Sequence, residues 1–166
     1  GFLQRYYTKP FKEFDLDIFY SRFRVSKKIK NVGSISFQLE NGLARCYLDS
    51  SGFRPSSFDR SYKTLEWYIP ITLKSKLEFL NEFGFSIRNE NRQYVAESLN
   101  DPLHSGRNHF DFKYDFWIKK DINSTIVAKF STRIRRRNTF SEYDWVSDLK
   151  SFNQLQVLLK IEWKLI

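Results

Sequence analysis

Apolar and polar residues alternate from Phe110 to Ile118 and again from Ile126 to Ile134, with a polar break from Asp121 to Thr125 between the two runs. Strict alternation of period two predicts a β-hairpin with one buried face. Pairing Ile118 with Ile126 sets Phe116 against Ala128, Tyr114 against Phe130 and Phe110 against Ile134, so one side is apolar except at Thr132. On the other side that register places Asp115 opposite Lys129 and Asp111 opposite Arg133, which are attractive cross-strand pairs. Arg135, Arg136 and Arg137 are left without an acidic partner.

The same reading divides the rest of the chain. Gly1 to Asp17 is expected to be irregular, an N-terminal arm around Pro10. From Ile18 a strand carries Tyr20, Arg22, Arg24 and Ser26 on one side and Phe19, Phe23 and Val25 on the other, running into Lys27, Lys28 and Lys30. Asn41-Gly42 has the residues of a type I′ turn, predicting a second hairpin from Ile35 to Leu48 with Cys46 turned inward. Asp49 to Ser61 has the composition of a loop. Tyr62 to Ile71 is a strand ending at Pro70. Ser75 and Glu78 then form a capping box for a short helix ending at Gly84. Phe85 to Ile87 and Arg92 to Ala96 are short strands broken at Asn89 to Asn91. Ser141 and Asp144 cap a second helix that buries Trp145, Leu149 and Phe152, and a strand follows from Gln156. The sum is a strand-dominated α+β domain, a mostly antiparallel sheet or partly open pseudobarrel of about eight strands with two short helices.

Composition adds a chemical direction. The 166 residues read as one domain, 1–166, belonging to a larger prokaryotic or mobile-element protein. The 17 Phe, 9 Tyr and 4 Trp favour strands and a core of large rings. The single Cys excludes an intramolecular disulfide framework and Cys-rich zinc motifs. No run is long and apolar enough for a signal peptide or a membrane helix, so the expectation is a soluble, cytoplasmic protein with no membrane partner. Net charge is +9, concentrated before Val32 (eight basic residues against three acidic) and after Asn100 (twelve against eight). Such a charge draws polyanions.

Lys129, Arg133, Arg135 and Arg137 recur two apart on one strand face, about 6.6–7 Å per step, a spacing that suits successive phosphates. The candidate nucleic-acid contacts are therefore Arg22, Arg24, Lys27, Lys28 and Lys30, the loop residues Arg54 and Arg60, and Arg133, Arg135, Arg136, Arg137 and Asn138. Duplex DNA is preferred to RNA or single strands, because alternation hides most rings that could stack on bases. His104 and His109 are the only histidines; His109 and Asp111 would set two metal ligands on one strand face, but imidazoles in a linker with Pro102 and Gly106 are more often unliganded, and neither a metal nor another cofactor is expected. Two other readings stand beside DNA binding. One is a structural or RNA–protein assembly subunit docking through its basic face. The other is a Mg-dependent nuclease using Glu162 and Lys164, which share a strand face two residues apart.

The segment with Tyr68-Ile69-Pro70 and the helix expected after it resembles the strand-Ile-Pro-helix stretch of B3-type DNA-binding domains, including the target-recognition modules of some restriction endonucleases. That resemblance covers about a tenth of the chain. It implies a pseudobarrel with two DNA-clasping arms and a non-catalytic role in restriction-modification.

Overall fold

The computed structural model describes residues 1–5, 15–46, 59–77, 79–96 and 101–163. Eight strands form one antiparallel sheet in which each strand pairs with its neighbours in sequence: β1 (Phe2–Arg5), β2 (Leu16–Ile29), β3 (Gly33–Cys46), β4 (Tyr62–Lys74), β5 (Glu82–Tyr94), β6 (Asn108–Asp121), β7 (Ile126–Phe140) and β8 (Phe152–Trp163). Among the described residues there is one helix, α1 (Asp144–Lys150), between β7 and β8. Apart from β1, the strands run 12 to 15 residues, about twice the usual length.

The connections differ systematically between the two ends of the sheet. At one end, three to seven residues separate β2 from β3, β4 from β5 and β6 from β7; at the other, ten to fifteen residues make each connection. The short end is held by local chemistry. Asn31 takes φ +62° in the β2–β3 turn, a conformation Asn adopts at little cost, and Val32 N–H donates to Ile29 O at 3.1 Å. In the β6–β7 turn the Asn123 Oδ1 accepts from Thr125 N (2.8 Å), Thr125 Oγ1 (2.9 Å) and Ile126 N (2.7 Å).

That turn fixes a register different from the one expected. Ile118 pairs with Phe130, not Ile126, which brings Asp115 opposite Arg133 and Asp111 opposite Arg137. The slip is four residues, an even number, so every side chain stays on the face its alternation predicts. Pattern matching on faces is blind to such a slip.

Other local expectations give way to sheet pairing. Asn41-Gly42 lies inside β3, where Asn41 pairs with Ser21 and Leu65, and Gly42 with Tyr20 and Thr64. Ladders on both sides override its turn preference. Asn89 to Asn91 likewise lie inside β5, and Pro70 lies inside β4. No helix occurs among the described residues between Lys74 and Glu82. Ser75 Oγ accepts from Leu77 N at 3.0 Å in a turn, Ser75 N donates to Asn81 O, and Glu78 is outside the described residues. The strand-Pro-helix order expected from the B3 resemblance is thus a strand-turn-strand. Gly84, expected to end that helix, faces Trp117 across the sheet and leaves room for its indole. The second helix exists, but its N-cap is Tyr143 with no side-chain cap bond, and it buries Val146 while Trp145 and Leu149 are exposed. Phe152 already belongs to β8. In the expected N-terminal arm, Phe2–Arg5 is a strand and residues 6–14 are outside the described residues.

The sheet has two unlike faces. One carries Leu65, Trp67, Ile69, Ile71 and Leu73 from β4, Phe110 to Ile118 in steps of two from β6, and Leu155 to Trp163 in steps of two from β8. Most of these side chains are partly or largely exposed. The other face carries most of the charged strand residues, and most of the buried strand residues lie there. They include Ala44, Ser86, His109 and Asp111, each at most 2% exposed. A small core of Leu16, Ala44 and Tyr62 sits on that same face, with Ile18, Cys46 and Tyr94 packed against it. Burial raises the Cys46 thiol pKa, as expected for an inward cysteine.

Candidate functional site

Alternation and register together assemble a charged lattice on the polar face. Glu40, Glu66, Glu90 and Asp111 are directly opposite one another on β3, β4, β5 and β6, with Arg22 of β2 and Arg137 of β7 at the two ends. Four carboxylates spaced about 4.8 Å apart repel one another. The adjoining row supplies the compensation, because Arg88, Lys113 and Arg135 pair across β5, β6 and β7.

Bonds run along the acidic row and to the rows on either side of it. Arg22 meets Glu40 at 2.7 Å, Arg88 meets Glu66 at 3.5 Å, and Arg92 meets Glu90 at 2.5 Å. Asp111 takes Arg135 at 2.5 Å and Arg137 at 2.6 Å. Further along, Arg133 meets Asp115 at 2.6 Å. Guanidiniums also stack on rings, Arg88 on Tyr68 (4.6 Å), Arg92 on Tyr62 (4.3 Å), and Arg135 and Arg137 on Phe152 (5.0 and 5.1 Å).

Electrostatics differ along the acidic row. Burial raises the Glu66 carboxyl above its ordinary value, Arg88 opposes this, and Glu90 and Glu40 add to it. Burial also pushes the Asp111 carboxyl up, but hydrogen bonds from Arg135 and Arg137 more than reverse this and hold it low. Lys113 is lowered by burial despite Asp111 beside it.

The structure sorts the sequence candidates by face. Arg22, Arg24, Lys28, Arg133, Arg135 and Arg137 share the polar face, whereas Lys27, Arg136 and Asn138 alternate to the apolar side. Lys30 lies in the β2–β3 turn, Arg60 lines a cavity beside His109, and Arg54 is outside the described residues. The expectation that Arg135 and Arg137 lack acidic partners is corrected, since both bond Asp111. Glu162 pairs with Lys160 at 2.6 Å, and Lys164 is outside the described residues. No group of three metal-ligating side chains occurs among the described residues.

Sequence reading missed the acidic row and Arg88, Arg92, Arg107 and His109 as a unit. The signal was present as alternation within β4 and β5. Breaking β5 at Asn89 and starting a helix at Ser75 removed the continuity that reveals it.

Comparison with protein-family models, with curated proteins and with solved structures finds no match to this chain.

Proposed function

We propose that this chain forms part of the wall of a transmembrane β-barrel, its apolar face against lipid and its charged face lining the interior. The observation that carries this reading is the apolar band. Leu65–Leu73, Phe110–Ile118, Ile126–Ile134 and Leu155–Trp163 each present nine residues whose outward members are apolar, Thr132 excepted. Nine residues of strand, tilted about 40°, span about 23 Å, close to the ~25 Å apolar belt of membrane barrels.

The band also slants. In the row Phe23, Leu39, Trp67, Asn89, Phe112, Arg136, Asn153 the polar residues gather toward β8. Three same-face rows away, Gly33, Leu73, Phe83, Ile118, Phe130 and Leu159 stay apolar through to β8. A band that drifts along the strands as it crosses the sheet is the mark of tilted strands.

Three further features support the reading. A water-soluble sheet curls over its apolar side, yet here the most buried strand residues lie on the charged face, and apart from Ala44 they are the polar Ser86, His109 and Asp111. The outward residues of β8, Leu155, Val157, Leu159, Ile161 and Trp163, are 59–74% exposed, a contiguous apolar patch of the kind that marks an interaction surface. Short turns at one end and long connections at the other also match the asymmetry of such barrels. No helix among the described residues is long and apolar enough to cross a membrane, and none is needed, since a barrel crosses with strands.

Tryptophan positions make the test direct. Trp67 and Trp163 lie on the apolar face and Trp117 on the polar face. Single-Trp variants reconstituted in vesicles with brominated acyl chains are expected to show strong quenching at Trp67 and Trp163 and weak quenching at Trp117. Equal quenching at the three, or a chain that stays monodisperse in detergent-free buffer, overturns the reading.

The second reading is duplex DNA binding. What favours it is that Arg24 and Lys28 share a face with Arg133, Arg135 and Arg137. It expects salt-dependent binding of duplex oligonucleotides that is lost when Arg133, Arg135 and Arg137 all become Ala.

A further inference from the structure

We infer that the cavity at the long-connection end of the polar face is a binding site for a phosphate group. It encloses about 360 Å³, and the cations around it are Arg5, Arg60, Arg92, Arg107, Arg137 and Lys150. The strand ends of β4, β5 and β6 form one wall, and the β5–β6 connection with the end of α1 forms the other. No carboxylate is among the described residues lining it.

The acids nearby are engaged at the margins, Glu90 with Arg92, Asp111 with Arg137, and Asp101 with His104 at 2.9 Å. Arg60 is engaged as well, and Arg5, Arg107 and Lys150 still leave the cations in excess. A single carboxylate offsets one charge. A phosphate dianion offsets two and offers several acceptor oxygens to guanidinium forks.

Two side chains show a site prepared for an acceptor. Arg107 is 6% exposed, its guanidinium carbon lies over the Tyr94 ring 3.9 Å from the centroid, and its Nε has no hydrogen-bond partner among the described residues. His109 is 2% exposed, and its Nε2 has none either. A buried polar nitrogen without a partner is costly, and both of these residues line the one cavity. Burial and the surrounding arginines lower the His109 pKa to about 3, so the imidazole is neutral near pH 7 and one ring nitrogen carries a donor hydrogen. Burial likewise lowers Arg107, with Arg137 and Arg92 adding repulsion that a bound dianion would relieve. Contact with the Tyr94 and Tyr62 rings restrains Arg107 and Arg92, and Arg92 gives Glu90 its Nε and Nη2, so only its remaining N–H groups can meet a ligand oxygen.

The phosphate could be free, on a sugar or on a lipid headgroup, and the probes separate these sources. The inference concerns the polar face alone, so it stands or falls apart from the barrel reading. The 166-residue chain in zwitterionic detergent micelles is titrated by calorimetry with inorganic phosphate, with glucose 6-phosphate and with micelle-dispersed phosphatidic acid. Saturable binding of at least one probe is expected, and which one binds identifies the source. Arg107→Ala is expected to weaken it at least about tenfold. Arg133→Ala, on the same face but outside the cavity, should leave it within about twofold. If Arg107→Ala does not fold, Arg107→Lys carries the test, because it keeps the charge and loses the fork, and weaker binding is again expected. Absence of saturation with all three probes, wild-type binding by Arg107→Lys, or equal loss in Arg133→Ala overturns the inference.

Discussion

Arg135 of β7 reaches diagonally across the sheet to Asp111 of β6 and bonds it through both Nε (2.8 Å) and Nη2 (2.5 Å). Arg137, directly opposite, bonds the same carboxylate. Asp111 is wholly buried, so its charge rests on these two partners.

Asp111→Ala is therefore expected to destabilise the fold by about 3–5 kcal/mol, the range for breaking a buried pair. Arg133→Ala disrupts a half-exposed pair with Asp115 and should cost under about 1 kcal/mol. Urea unfolding of the two variants in the same detergent measures the contrast. Similar losses would show that the charges on this face act as one solvated set.

Stability is expected to fall on acidification well before carboxylates titrate. The folded His109 pKa is depressed to about 3 from an ordinary 6.5, so its contribution is fully present above 6.5. Between pH 6.5 and about 3 the unfolded chain gains a proton that the folded chain refuses, a loss of about 1.4 kcal/mol per pH unit. His104, lowered mainly by burial although Asp101 opposes it, adds in the same sense. Asp111 follows at lower pH, because its depressed carboxyl supports the fold until pH falls through its folded value. His109→Gln should flatten the slope between pH 6 and pH 4 in thermal unfolding.

Gly84→Ala puts a methyl where the Trp117 indole lies across β5. The ring also receives Lys129 at 5.1 Å and donates from Nε1 to Glu82 at 3.3 Å, so it cannot move without losing both. A loss of about 1–3 kcal/mol is expected, together with a red shift of Trp117 emission in a single-Trp background.

The β6–β7 register can be read by cross-linking. In a Cys46→Ser background, cysteines at Ile118 and Phe130 should form a disulfide on mild oxidation, and cysteines at Ile118 and Ile126 should not. Asn123→Ala, which removes three bonds from the turn, should cost about 1–2 kcal/mol and lower the yield of the first cross-link.

The alternation of Phe110 to Ile118 by itself determined that these residues are strand and that Asp111, Lys113 and Asp115 share a face, because a pleated backbone sends successive side chains to opposite sides. It also placed Arg133, Arg135 and Arg137 on one side of β7. It left open which acid each arginine meets. A slip of four residues preserves both faces, and the Asn123 turn chooses among such registers through bonds that alternation does not encode. Composition likewise pointed toward a core of aromatic rings and a solvated basic surface. Only the tertiary structure decided the reverse arrangement, in which Phe116, Leu155 and Trp163 are left outward while Asp111, His109 and Arg107 are buried. The physical reason is that period two states only that a strand has two unlike faces. Which face the protein covers depends on how seven neighbouring strands stack their rows, and on the cross-strand arginines that make burying a carboxylate tolerable.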